Sequence, residues 1–184
     1  MRHSPLTLVL LVFFLFSFLV LPSLFRQQSF LEISSEGYDS LLLPLSTGEE
    51  FSIEYIHSVA RTPIRDVFVC LEASKDENSI RFVRTEYSSF GAGLPTESFG
   101  DFDHTDGLYI NKGLELFFSE IPLRVGRFAD HQISSEKITV FLDDYFTAGK
   151  LAVLRPVKIM KFKVLFYERS DAHGGKILKH PGQH

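Results

Sequence analysis

One cysteine, two methionines and no tryptophan occur in 184 residues. With Cys70 alone, an internal disulfide framework and a Cys-x-x-Cys redox or zinc motif are excluded. Its neighbours Val67, Phe68, Val69 and Leu71 mark it as a small buried hydrophobe. Helical periodicity is weak beyond the first 25 residues, which argues against a helix bundle or an α/β fold. Basic excess is missing as well. Beyond residue 26 the chain carries 17 basic and 23 acidic side chains, a formal charge of −6, and so offers no basic face to nucleic acid. No Gly-x-Ser-x-Gly elbow is present, and there is no internal repeat.

Charge is absent from Leu6 to Phe25, twenty residues bounded by Arg2 and His3 on one side and Arg26 on the other. A helix needs roughly 20 apolar residues to cross a bilayer core. A secretory signal begins in the same way but ends in small residues of the A-x-A type, which this stretch lacks. An uncleaved anchor over residues 1–26 is therefore favoured over a cleaved signal. Arg2 favours an N-terminus inside and the remainder exported. The expected organisation is an anchor or signal at 1–26, an exported β-domain at 27–169 and a flexible tail at 170–184.

What fills the domain is alternation. Phe51, Ile53, Tyr55 and His57 alternate with Ser52, Glu54, Ile56 and Ser58, the period of a half-buried strand. Ile64–Leu71 is rich in β-branched and aromatic residues, Lys75–Asn78 is a polar turn, and Ile80–Ser88 reads as a third strand. Further strands are expected at Phe30–Ile33, Leu41–Leu45, Leu108–Ile110, Leu114–Phe118, Ile138–Leu142 and Val157–Tyr167. About eight or nine short strands at this spacing predict an all-β antiparallel sandwich or barrel. Leu142–Gly149 reads as a turn or short helix closed by Gly149, and Gly100–Gly113 as an exposed acidic loop.

If the three strands from Phe51 to Ser88 form a meander, the first connection and the end of the third strand share one rim. That places His57, Ser58 and Arg61 beside Ser89, Gly91, Ala92 and Gly93. Glycine backbone can turn N–H groups toward one point and hold an anion. Arg61 can grip a carboxylate in a forked geometry, and His57 and Ser58 can donate hydrogen bonds. The bland alternative is a structural turn with a satisfied histidine and a solvated arginine. Catalysis is not expected, because His57 and Ser58 are adjacent on opposite faces of a strand. No metal is expected either: in Asp101–Gly107, Asp106 stands where a calcium loop needs glycine and Lys112 where it needs glutamate. No cofactor is implied.

The segments Tyr55–Phe68 and Ser89–Pro95 follow the pattern Y-I-H-S-V-x-R-T-P-[IV]-x-[DE]-x-F and S-F-G-A-G-L-P. In this the chain resembles the domain of unknown function 1850 family, over about Phe51 to Tyr167 by strand order. Ala60 stands where many members carry an acid, and Asp66 replaces the usual glutamate. The resemblance implies a setting beside TAXI-type TRAP permeases, which import organic anions with a separate solute-binding protein. It implies an extracytoplasmic accessory domain, held in the cell membrane through residues 6–25, whose partners are the permease, its binding protein or a small organic anion. A purely structural interaction module is the alternative, and a hydrolase a more distant one.

Overall fold

The computed structural model describes residues 5–71, 79–89, 101–105, 107–164, 167–172 and 175–180. A helix, α1 (Pro5–Leu24), precedes two antiparallel sheets whose strands are numbered along the chain. The first sheet runs β13 (Glu168–Ala172), β14 (Gly175–His180), β2 (Ser40–Pro44), β1 (Gln27–Ser35), β12 (Leu151–Met160) and β9 (Ile121–Arg124). The second runs β11 (Thr139–Phe141), β10 (Gln132–Ser135), β3 (Glu50–Ile56), β4 (Pro63–Cys70), β5 (Ile80–Tyr87), β7 (Leu108–Lys112) and β6 (Asp101–Thr105), with β8 (Phe117–Phe118) also paired to β5. A one-turn helix, α2 (Lys161–Val164), follows β12.

The inner faces of both sheets share one core. Leu31, Ile33, Leu41, Leu43, Leu154 and Ile177 come from the first sheet, and Phe51, Ile53, Phe68, Ile80, Ile133 and Val140 from the second. The expected alternation is seen in β3, where Phe51 and Ile53 are buried and Phe51 stacks on Phe68 with ring centroids 5.4 Å apart. On the outer face of the same strands, charge replaces apolar contact. Arg65 bridges Glu54 and Glu86 (3.2 and 3.3 Å), and Arg84 bridges Glu86 and Glu50 (2.7 and 3.5 Å). The run Leu41-Leu42-Leu43 does not alternate because both of its sides are covered. Leu42 joins Phe30 and Leu178 beneath Val157, Ile159, Val164 and Tyr167.

Several expectations need correction. The strand expected over Val157–Tyr167 ends at Met160, and Lys161–Val164 turn into α2. The same strand begins earlier, at Leu151, and contains Pro156. Proline fits because β12 pairs at that point only with β1, while β9 pairs only with residues 151–154. The strand expected at Leu108–Ile110 is present as part of β7, whereas residues 101–105, expected in an exposed loop, are exposed but form β6 and pair with β7 as a hairpin. The tail expected to be flexible supplies β13 and β14, and β14 extends the first sheet by pairing with β2. Leu142–Asp144 is a single 3-10 turn, followed by Gly149 at φ +93°, a backbone that suits glycine.

In α1 the apolar side chains from Val9 to Phe16, and Phe18, are exposed. Among the described residues no helix is long and apolar enough to cross a membrane.

Ile177 is fully buried in the shared core. Ile177→Ala is therefore expected to lower the unfolding free energy by about 2–5 kcal/mol, the range for emptying a core aliphatic site. Urea unfolding of the purified protein checks this, and an unchanged midpoint is the result a flexible tail would give.

Candidate functional site

The meander of β3, β4 and β5 is present, with Ile53 opposite Asp66 and Asp66 opposite Thr85. The rim follows from it. Thr62 at the end of the first connection and Ser89 beyond β5 lie hydroxyl to hydroxyl at 3.3 Å, although 27 residues separate them. The connection His57–Thr62 closes on itself: the His57 N–H donates to the Thr62 carbonyl and the Arg61 N–H to the His57 carbonyl, both at 2.9 Å. Arg61 takes φ +52°, a left-handed conformation uncommon outside glycine. Its side chain is exposed and among the described residues forms no ion pair.

His57 serves its own loop. Its Nδ1 accepts from the backbone N–H groups of Val59 and Ala60 at 3.3 and 3.0 Å, which places the ring proton on Nε2. Ser58 is exposed. The structure thus brings Ser89 to the loop of His57, Ser58 and Arg61, while Gly91, Ala92 and Gly93 lie outside the described residues. A cavity of about 590 Å³ lies elsewhere, at the end of the sheets where β1 begins, lined in part by Gln27, Ser29, Thr47 and Lys137. Among the described residues no group of three or more His, Cys, Asp or Glu side chains is placed to hold a metal ion.

Behind the rim, on the inner face, lies a polar and aromatic patch. Register places Asp66 of β4, Thr85 of β5 and Asn111 of β7 side by side in one rung. The next rung toward the strand ends holds Tyr55, Ile64, Tyr87, Tyr109 and His104. Tyr87 stacks on Tyr109 (5.7 Å), Tyr109 on His104 (4.4 Å), and Tyr55 on His131 (5.7 Å).

Burial pushes the Asp66 carboxyl above the usual carboxylate range, opposed by the hydroxyls of Thr85 and Tyr55 that donate to it. Burial and the neighbouring Asp66 push the Tyr55 phenol up to about 12. Burial also pushes the His131 imidazole down, against the pull of Asp130. His131 accepts the Gly126 N–H at Nδ1 (3.2 Å). A Cβ at Gly126 would meet Ala129 Cβ at 2.9 Å and His131 Cε1 at 3.3 Å, so only glycine fits this bend. The backbone N–H of Ile56 donates to Ala129 at 2.7 Å, which ties the bend to the rim.

Asn111 is 1% exposed, and its Oδ1 has no hydrogen-bond partner among the described residues. Tyr55, Thr85, Asn111 and His131 were not legible as a set. Asp66 left a signal, a carboxylate on the inward row between Ile64 and Phe68.

Two outcomes follow. His57→Ala removes the acceptor for two loop N–H groups and is expected to cost about 1 kcal/mol in a denaturation midpoint, whereas His57→Asn, whose carbonyl can reach the same groups, is expected to recover part of it. Asp66 has a raised folded pKa, so its contribution is fully present below the unfolded value and is lost as pH rises through the folded value. The stability of the native chain relative to Asp66→Asn is expected to fall as pH rises from about 4 toward neutrality, and a difference that grows over that range would contradict the assignment.

No curated protein and no solved structure matches this chain significantly. The model of one family, described as domain of unknown function (DUF1850), matches residues 51–142, from the start of the meander through the bend at Gly126 to the end of β11. The chain belongs to that family.

Proposed function

We propose that this protein is an extracytoplasmic accessory domain of a TAXI-type TRAP uptake system, held at the cell membrane by its N-terminal apolar segment and acting by binding rather than by catalysis. The working surface is the rim of His57, Ser58, Arg61 and Ser89, contacting a small organic anion, the solute-binding protein or the permease. The observation that carries this reading is Arg61, an exposed guanidinium on a left-handed backbone beside the Thr62–Ser89 closure. A guanidinium so placed presents a fork of donors matched to a carboxylate.

The remainder of the rim supports binding over nucleophilic chemistry. The Nδ1 of His57 is taken up by two backbone N–H groups and does not serve Ser58 as a base. The anchor rests on the sequence alone, the twenty residues from Leu6 to Phe25 without charge. α1 leaves the sheets at Gln27, which lines the same cavity as Thr47 and Lys137, beyond the start of β3. The rim is at the opposite end of β3, so a domain anchored through α1 presents it away from the membrane.

The test is thermal unfolding and co-purification of the full chain. A series of mono- and dicarboxylates is expected to raise the midpoint, with the shift lost in Arg61→Ala. Stabilisation only by the permease or solute-binding protein would favour the interaction-module form of the proposal. No response to any acid or to either protein would overturn it.

A further inference from the structure

We propose that the inner face behind the rim is a second binding site, in which Asp66 and Asn111, either side of Thr85, receive the primary ammonium group of a small ligand. It goes beyond the Arg61 reading and stands without it. Asp66 is opposite Ile53, a core residue, and so faces inward, where among the described residues it has no cationic partner. The hydroxyls of Tyr55 and Thr85 donate to it. A carboxylate offers about four lone-pair sites, and two donors leave the others open. One strand beyond Thr85, the carbonyl oxygen of Asn111 is buried and unpartnered. A buried acceptor without a donor is costly, and a buried charge without a counter-charge more so.

One occupant answers both needs. An ammonium head is compact, carries three donors and a positive charge, and so can serve a carboxylate and an amide oxygen that flank one residue of a rung. A divalent metal would call for more anionic ligands than the described residues gather there. The β4–β5 register shifts between Val67 and Phe68, where Val83 of β5, two positions from Thr85, is the extra residue. Such bulges re-aim side chains beside functional sites.

The ammonium group could belong to an amino acid or to a simple amine, and matched probes separate the two. The full chain is titrated with L-alanine, propylamine and propionate, and with longer members of each series, by calorimetry and thermal unfolding. Binding of the ammonium-bearing compounds, with affinity at least ten-fold weaker in Asp66→Asn and in Asn111→Leu, is the expected result. Both replacements are close in volume, and Asp66→Asn keeps an acceptor for Tyr55 and Thr85. Amines alone would identify the ligand as a simple amine, and amino acids alone as one held also through its carboxylate. Should Asp66→Asn fail to fold by circular dichroism, Asn111→Leu is read in its place. If no ammonium compound binds, or if the folded variants bind as the native chain does, the proposal is overturned. Loss of propionate binding in Arg61→Ala concerns the rim alone, so the two proposals fail separately.

Discussion

The buried pairing of Ile53 with Asp66 governs much of what this chain can do. Ile53 sits in the shared core, and Asp66 lies directly opposite it on β4. Side chains on one rung of an antiparallel pair share a face. The register that buries Ile53 therefore turns Asp66 inward too. A slip of one residue would bring Asp66 to solvent, but it would also expose Phe68 and the rest of the apolar row. The fold thus retains an inward carboxylate as a consequence of burying its aromatic core.

The rim is held by a different kind of force. Few apolar contacts are available at the tip of a connection, so backbone groups must find partners locally. His57 answers this from within the loop, and the closure by Thr62 and Ser89 adds a link between distant parts of the sequence. What is left outward is Ser58, Val59 and the Arg61 side chain, all exposed. A loop whose own donors and acceptors are settled can present such groups without ordering them anew on each encounter, which lowers the entropic cost of binding.

The meander was legible in the sequence because Phe51, Ile53 and Tyr55 alternate cleanly with polar residues, and because Pro63 and Lys75–Asn78 punctuate the run. The nearness of Thr62 to Ser89 follows from those strands alone. Other elements were hidden by local chemistry that tertiary context overrode. Pro156 interrupts β12 in sequence, yet its missing N–H falls where the strand has no second neighbour. The last strand shows only Ile177 and Leu178 among polar residues and glycines, and one of them faces each side of the sheet. Asn111 and Thr85 joined Asp66 through register across three strands, which no single segment encodes.

The two faces of these same strands also settle why, among the described residues, the inner charge stands without a counter-ion. Arg65 is the residue next to Asp66 and Arg84 the residue next to Thr85, so cations are close along the chain. Alternation sends both to the opposite face, where they are committed to Glu54, Glu86 and Glu50. The pairs of Arg65 and the Arg84–Glu50 pair reach solvent, where such pairs are individually worth about 0–1 kcal/mol, while among the described residues the acid inside has hydroxyl donors and no cation. Burial meanwhile makes the Asp66 carboxyl easier to protonate than an exposed one. The inner rung therefore has two ways to discharge its cost, a proton taken from solvent or a cation brought by a ligand. Asn111 distinguishes them, since a proton on Asp66 does nothing for the unpartnered amide oxygen one strand beyond Thr85, whereas a group with several donors satisfies both.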